Sequence, residues 1–192
     1  MPDPNPAALE FLLTRRSRPA KTLSGPVPTR DDLTPILTAA ARTPDHGKLE
    51  PWRFIVLGAE AMERLALAVR ARGVELGVEP AKIDKAAQDY GRAKLVVAVI
   101  SSPKPSEKVP QIEQVYSAGA VCLSLLNAAL ASGWGANWLS GWASHDRSFV
   151  EQQLGLESHE AVAGMIHLGT ETVAPPERPR PDLDAITSWV AT

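Results

Sequence analysis

The chain has a single cysteine, Cys122, among its 192 residues. No disulfide can therefore form within it, which excludes a small secreted scaffold held together by disulfides. An excess of charge of one sign is also lacking, since 20 Lys and Arg face 22 Asp and Glu, for a net charge of −2. This balance gives no support to nucleic-acid binding through bulk positive charge. The length favours one domain spanning residues 1–192.

Long apolar runs and an export signal are missing too. The first residues carry neither a basic segment nor a long apolar stretch, and no apolar run approaches the roughly 20 residues that a membrane helix needs. With 44% hydrophobic and 22% charged residues, the composition is ordinary for a globular protein. We therefore expect a cytoplasmic protein with no membrane partner.

The common nucleotide and metal motifs are absent as well. Gly133-Trp134-Gly135 is too short for the dinucleotide-binding fingerprint, and the glycine and lysine pattern of a P-loop does not occur. The histidines show neither HExxH nor CxxC-type spacing, so no metal site is expected. Ser140 lacks the GxSxG context of a hydrolase nucleophile. These absences leave no support for a Rossmann site, a P-loop or a metal centre.

Helical and strand patterns alternate along the chain. Thr29 and Asp32 resemble a capping box ahead of the second helix, although Pro35 would either delay its start to residue 34 or bend it. Four strands between helices favour a mixed α/β or α+β sheet covered by helices. Residues 172–192 contain four prolines and are expected to form an extended arm with an apolar end. The predicted helices cover residues 6–15, 61–72, 80–91, 111–132 and 147–153, besides the second helix, and the predicted strands cover residues 53–57, 94–100, 135–141 and 161–168.

Basic side chains gather in two loops that follow helices. Arg15-Arg16-Ser17 stands where the first helix ends, and Lys21 lies four residues beyond Ser17. Arginines at a helix C-terminus often only compensate the helix dipole. Guanidinium groups beside a hydroxyl also suit a phosphate-like anion, however. The loop after the second helix contains Arg42 and His46, and a single histidine there is more often an ordinary surface residue.

Aromatic residues are few, at 5% of the chain, yet five of them are Trp. Three of these, Trp134, Trp138 and Trp142, fall close together. A strand over residues 135–141 would place all three on one side, with Gly135 and Gly141 allowing a planar ligand to approach the backbone. Packing in the core is the alternative explanation.

Taken together, these segments resemble the FMN-dependent nitroreductase superfamily, and most of all its short YdjA-type branch of NAD(P)H nitroreductases. The resemblance covers residues 9–170. It rests on the order of Arg15-Arg16-Ser17, Arg42-Thr43-Pro44-Asp45-His46, Pro51-Trp52-Arg53-Phe54, Ser117-Ala118-Gly119, Trp138-Leu139-Ser140-Gly141 and His167-Leu168-Gly169-Thr170.

The resemblance implies an α+β fold in which a mostly antiparallel central sheet is flanked by helices. It also implies an intertwined homodimer with one FMN per subunit at the interface. In that dimer Arg42 and His46 would reach the FMN held largely by the partner subunit. The implied FMN-binding residues are Arg15, Arg16, Ser17, Lys21, Arg42, His46, Trp138, Leu139 and Ser140, and the segment that would meet NAD(P)H is Ala128, Ala129, Leu130, Ala131, Ser132 and Gly133.

A few positions depart from the family pattern. Leu139 stands where the branch often has Arg, so only a backbone contact carries over there. Lys48 and Glu50 replace the Asn and Gln of the wider superfamily's N-x-Q-P-W sequence. A C-terminal arginine that grips phosphate in many relatives is matched only by Arg178 or Arg180.

The function implied is that of an oxidoreductase. NAD(P)H would deliver hydride to FMN, and a nitroaromatic, a quinone or a similar small acceptor would then be reduced in a ping-pong mechanism. No catalytic side chain is required, because the chemistry takes place on flavin N5. The alternatives are a non-catalytic FMN or nucleotide carrier or sensor, and a structural domain whose Arg and Trp residues only pack.

Overall fold

The computed structural model describes residues 3–191. Met1, Pro2 and Thr192, which the expected domain includes, lie outside the described residues. Two short 3-10 turns cover Ala20–Thr22 and His46–Lys48. The helices are α1 (Pro6–Thr14), α2 (Arg30–Ala40), α3 (Ala59–Glu75), α4 (Pro80–Arg92), α5 (Gln111–Ala131), α6 (Trp142–His145), α7 (Arg147–Leu154) and α8 (Leu183–Ile186), and the strands are β1 (Leu23–Ser24), β2 (Trp52–Gly58), β3 (Leu95–Ser101), β4 (Gly135–Leu139) and β5 (Ala161–Glu171).

The predicted helix caps are present. Asn5 precedes α1, and its side chain accepts a hydrogen bond from the Ala8 backbone at 3.1 Å. Thr29 and Asp32 form the capping box of α2. This helix begins at Arg30 and continues through Pro35, so the later start that Pro35 suggested is wrong. The capping box satisfies backbone donors of the first turn, ahead of the position where Pro35 donates no hydrogen bond.

All strands of the sheet pair antiparallel, with β5 in the centre. It pairs with β3, β4 and β1, and β2 pairs with β3. The mostly antiparallel α+β fold implied by the resemblance is therefore confirmed. The two-residue strand β1 is additional to the four predicted strands, because so short a segment carries no readable alternation.

Hydrophobic cores cover both faces of the sheet. Alternate residues of β3 point to opposite sides, and the whole strand is buried, as its continuous apolar sequence predicted. One core contains residues of α2 and α5, whereas the other contains residues of α3, α4, α6 and α7. The long helix α5 ends before Gly133, whose φ of 83° is in the left-handed region.

The predicted strand over residues 135–141 is too long. β4 ends at Leu139, and Trp142 is the first residue of α6, where the Ser144 backbone donates to the Gly141 carbonyl at 3.0 Å. Trp134 and Trp142 pack against opposite cores. The three tryptophans therefore do not share one surface, because the chain turns into a helix before Trp142.

One helix within residues 3–191, α5, has the length and apolar composition of a membrane-spanning helix. The expectation that no segment would approach this limit is therefore wrong. Val121, Leu125 and Ala129 of α5 are fully buried against the sheet, which is the packing of a core helix.

The segment after β5 runs along the outside of the molecule. Residues 172–182 contain no helix or strand, and α8 has no buried residue. Leu183, Ile186, Trp189 and Val190 are all exposed. The predicted extended arm stays a prediction, and its apolar end has no covering surface within the described chain.

Candidate functional site

The two arginines after α1 have unused hydrogen-bonding groups. An Arg15 terminal nitrogen donates to Ser17 Oγ at 3.1 Å. The Nε atoms of Arg15 and Arg16 are buried, and neither has a hydrogen-bond partner among residues 3–191. A buried donor without an acceptor is costly, so an acceptor from outside the chain would stabilise this segment.

Like charges surround Arg15. Burial lowers its pKa, and the neighbouring charges of Arg180, Arg16 and Arg18 lower it further. Arg18 is balanced by Glu171, at 3.3 Å. Neither Arg15 nor Arg16 forms an ion pair within the described chain. An anion with several oxygens would relieve both the crowding of charge and the missing acceptors.

A cavity of about 310 Å³ opens beside these arginines, and we call it the arginine cavity. Leu130 and Gly133 of the expected NAD(P)H segment line it, whereas Ala129 is buried in the core. The C-terminal end of α5, the start of β4 and the end of α1 therefore meet at one place. The lining residues are Phe11, Thr14, Arg15, Arg16, Arg18, Leu130, Gly133, Trp134, Gly135 and Glu171.

Hydrogen bonds fix the arginine segment along β4. The Arg18 backbone donates to the Ala136 carbonyl at 2.8 Å, and the Asn137 side chain donates to the Arg18 carbonyl at 2.7 Å. The arginines lie at the start of β4 and Trp138-Leu139-Ser140 at its end, about 13 Å apart at the usual rise of a strand. The structure thus places these two predicted groups along one strand.

Trp138 and Leu139 point to opposite faces of the sheet. Trp138 lies on the α5 side, next to Gly164, and is 39% exposed. Leu139 and Ser140 instead line a second cavity, of about 200 Å³, between α4 and the chain from β4 to α6. We call it the β4 cavity. It is also lined by Lys82, Lys85, Ala86, Asp89, Tyr90, Gly141, Trp142, Ala143, Ser144, Met165 and His167.

Lys21 is exposed on the turn Ala20–Thr22, which lies next to α4. It is therefore on the same part of the surface as α4, which forms one wall of the β4 cavity. Its predicted contact with the cofactor stays a prediction.

Arg42 and His46 lie elsewhere. Both are exposed, and His46 Nδ1 is 2.7 Å from Glu113 Oε2 near the start of α5. Glu113 and Leu130, which lines the arginine cavity, are 17 residues apart on this helix, or about 25 Å at 1.5 Å per residue. One chain therefore does not bring all the predicted FMN-binding residues together.

The loop that carries His46 has an unusual backbone. Gly47, Lys48 and Glu50 have positive φ angles of 76°, 54° and 48°. The Glu50 backbone donates to Asp45 Oδ2 at 2.6 Å, which stabilises the turn. Left-handed backbone suits Asn better than Lys or Glu, so the replacement of the superfamily's Asn by Lys48 carries a conformational cost.

Sequence reasoning missed some residues of the site. Arg18 directly follows Arg15-Arg16-Ser17, whereas Glu171 is distant in sequence and only the fold brings it to the arginine cavity. Arg180 was one of two candidates, and its charge acts on Arg15. His167 had a readable signal, because it is a single polar residue within the apolar run of β5.

Comparison with known proteins supports the fold and identifies the family. The model of the nitroreductase family matches residues 12–170. The "Putative NAD(P)H nitroreductase YdjA" of Escherichia coli K12 is 36% identical over 163 residues, which cover 85% of this chain and 87% of that protein.

Two solved structures have the same fold. A nitroreductase-like family protein from Bacillus cereus superposes with a TM-score of 0.79 at 18% identity, over 100% of both chains. A nitroreductase with bound FMN from Bacteroides fragilis superposes with a TM-score of 0.72 at 19% identity, over 95% of this chain and 97% of that one. The fold, the family match and the similarity to YdjA agree, and the chain belongs to the nitroreductase family.

Proposed function

We propose that this protein is an FMN-dependent oxidoreductase of the cytoplasm. It takes hydride from NAD(P)H and reduces a nitroaromatic, a quinone or a similar small acceptor in a ping-pong mechanism. It acts as a homodimer of single-domain chains, with FMN at the interface. The family match and the FMN bound to the structural relative support this proposal.

The observation that carries the proposal is the pair of half-buried arginines whose Nε atoms are buried and have no acceptor within the described chain. Arg15 and Arg16 have unpartnered Nε atoms, and Ser17 adds a hydroxyl. A phosphate group has the charge and the several oxygens that these donors lack. The residues present therefore fit the phosphate of FMN.

The remaining groups provide orientation and charge. When bound, FMN supplies the redox chemistry, because it accepts hydride from a nicotinamide and passes electrons to an acceptor. The strand end at Trp138, Leu139 and Ser140 would border the ring system, with the Trp138 side chain on one face of β4 and Leu139 and Ser140 on the other. Arg16, where Arg15 alone holds the phosphate, or Lys21 on the turn beside α4, would supply positive charge near the ring system. Leu130 and Gly133 line the arginine cavity, and the segment 128–133 to which they belong would contact NAD(P)H.

Apolar surfaces without cover support the homodimer. α1 has no buried residue, and its Leu9, Leu12 and Leu13 are more than half exposed. The outer face of α5 exposes Ile112, Val115, Tyr116 and Leu123. Exposed apolar patches of this kind mark protein interfaces.

The position of Arg42 and His46 gives the same indication. They are about 25 Å along α5 from the arginine cavity, too far to share one ligand within a chain. If two copies pack with their α5 helices antiparallel, the first part of one helix meets the last part of the other. His46 of one chain could then approach the arginines of its partner.

The first experiment is a visible spectrum and an FMN titration. The purified protein should be yellow or should take up one FMN per subunit. Arg15→Ala should weaken FMN binding about tenfold or more, because a hydrogen bond to a charged group contributes about 1.5–3 kcal/mol. The control is Arg30→Ala, which removes an exposed arginine at the start of α2. Equal FMN affinity in both variants would contradict the phosphate assignment.

A second experiment separates an enzyme from a flavin carrier. The FMN-loaded protein is mixed rapidly with NADH or NADPH while flavin absorbance is followed. An oxidoreductase bleaches the flavin, and addition of a nitroaromatic then restores the oxidised spectrum. A carrier or sensor would keep its flavin oxidised with both nucleotides.

A further inference from the structure

Polar side chains on one face of α5 contact the loop between α2 and β2. They belong to Glu113, Ser117 and Ser124, which lie within about 40° of one another around the helix axis at about 100° per residue. This loop carries Arg42 and His46, so the first half of α5 faces the part of the chain that is expected at the cofactor of a partner subunit. The three contacts are Glu113 with His46 at 2.7 Å, Ser117 with the Pro44 carbonyl at 2.8 Å, and Ser124 with Thr43 Oγ1 at 3.0 Å.

Ser117 is the buried residue of this group. Its side chain and backbone together are 7% exposed, whereas Glu113 and His46 are exposed. The Ser117 hydroxyl donates to the Pro44 carbonyl at 2.8 Å and accepts a hydrogen bond from Trp52 Nε1 at 3.2 Å. A serine hydroxyl has one hydrogen to donate, and here it is donated to the loop. One side chain therefore joins α5, the loop and the start of β2.

The position of Pro44 gives this hydrogen bond its importance. Pro44 lies midway between Arg42 and His46, two residues from each. Proline has no backbone N–H, so its carbonyl is the only backbone group there that can form a hydrogen bond. The exposed pair of His46 and Glu113 contributes little to holding the loop. A shift of Pro44 away from Ser117 would therefore move both Arg42 and His46.

The loop is distant from the arginine cavity of its own chain. Leu130, which lines that cavity, is 13 residues beyond Ser117 on α5, or about 20 Å at 1.5 Å per residue. In a dimer with antiparallel α5 helices, the first half of one helix meets the last part of the other. The loop held by Ser117 then faces the arginine cavity of the partner subunit.

We propose that Ser117 is a positioning residue for the FMN site of the partner subunit, and that it acts through the Pro44 carbonyl on the loop that carries Arg42 and His46. The inference rests on the proposed function, because it assigns to Ser117 the placement of two side chains that would meet FMN across the dimer interface. Ser117 acts without contact to the cofactor. Its replacement should weaken FMN binding at the partner's arginines and leave the arginine site of its own chain intact.

The first test separates the two hydrogen bonds of Ser117. Ser117→Ala removes both and should weaken FMN binding about fivefold, the value of one typical net hydrogen bond. Trp52→Phe is the matched control, because it removes the indole donor and leaves the hydrogen bond from Ser117 to Pro44, and FMN affinity should stay nearly unchanged. Equal weakening in both variants would overturn the proposal. If Ser117→Ala does not fold, Ser117→Cys takes its place, since a thiol of similar size is only a weak donor.

The second test identifies the subunit that is affected. Mixed dimers, purified through two different affinity tags, combine Ser117→Ala with Arg15→Ala, and FMN binding is followed by flavin fluorescence. With the two changes on different chains, the unchanged arginines of one chain meet the unchanged loop of the other, so one FMN should bind with wild-type affinity. With both changes on one chain and a wild-type partner, each site contains one altered group, and no FMN should bind with wild-type affinity.

The opposite pattern would overturn the proposal. If Ser117 supported only the fold or the site of its own chain, the dimer with both changes on one chain would keep the intact site, and the other dimer would have none. Identical FMN titrations for the two mixed dimers would overturn it as well. The wild-type dimer is titrated in parallel. Failure of the proposed function shows as a wild type that binds no FMN, whereas failure of this inference alone shows as a wild type that binds FMN beside mixed dimers with the wrong pattern.

Discussion

Replacement of Glu160 should destabilise the protein strongly and in a pH-dependent way. Its side chain is 4% exposed and receives two hydrogen bonds of 2.7 Å from Arg53 and one of 3.0 Å from the Glu157 backbone. The hydrogen bonds from Arg53, above all, hold the pKa of Glu160 at about 2, below its ordinary value of 4.5.

The lowered pKa of Glu160 sets the size of its contribution to the free energy of unfolding. A difference of about 2.5 pKa units corresponds to about 3 kcal/mol at neutral pH. Because Arg53 is 40% exposed to solvent, screening reduces the expected contribution to about 2 kcal/mol. Since the folded-state pKa is lowered, the contribution is complete above pH 4.5 and is lost as the pH falls toward 2. More than half of it should be gone at about pH 3.

Urea unfolding of the wild type and Glu160→Gln at several pH values measures this contribution. The difference in unfolding free energy should be about 2 kcal/mol at pH 7 and should shrink steadily below pH 4.5. Glu151→Gln is the matched control, because Glu151 pairs with Arg147 at 2.6 Å but is 43% exposed, and it should cost less than about 1 kcal/mol. A difference for Glu160→Gln that is the same at pH 7 and pH 3 would refute the reasoning.

Further predictions concern the backbone and the dimer. Gly169→Ala would place a Cβ 2.7 Å from the Ser24 carbonyl oxygen and should lower the free energy of unfolding by about 1–3 kcal/mol. Gly91→Ala in α4 has room for the methyl group and should raise the free energy of unfolding by about 0.5–1 kcal/mol. Equal effects of the two variants in urea titrations would contradict this. Thr29→Ala removes the α2 cap and should cost about 1 kcal/mol, and an unchanged urea midpoint would count against it. Lys48→Asn should raise the unfolding free energy by up to about 1 kcal/mol, because Asn tolerates the left-handed backbone better. A lower unfolding free energy would contradict the backbone strain assigned to Lys48. Tyr116→Glu on α5 should yield monomers with less FMN in sedimentation analysis, and an intact dimer would exclude this face from the interface.

Features that depend on local sequence were predictable. The capping box at Thr29, the buried strand β3 and the long helix α5 follow from side-chain chemistry and periodicity within short windows. The boundary between β4 and α6 was not predictable in the same way, because a spacing of four residues between Trp138 and Trp142 is compatible with both a strand and a helix. The two-residue strand β1 forms only because β5 offers it a partner.

Some residues of the candidate site could be predicted from the local sequence, and others could not. Arg15-Arg16-Ser17 could be selected from its residue types, since guanidinium groups beside a hydroxyl suit a phosphate. The contribution of Arg180 could not, because it approaches Arg15 only through tertiary structure. The separation of His46 from the arginines was also hidden, since it depends on the straight length of α5 between them.

The length of α5 would link assembly of the dimer to loading of the flavin. If each complete cofactor site needs the beginning of one α5 and the end of another, assembly and flavin loading form a single equilibrium. Dilution of the protein below the dimer dissociation constant would then release FMN, because a separated chain lacks part of the site. This would occur at a free FMN concentration that saturates the intact dimer. A covalently joined pair of chains would keep its colour at concentrations where the unlinked protein becomes colourless.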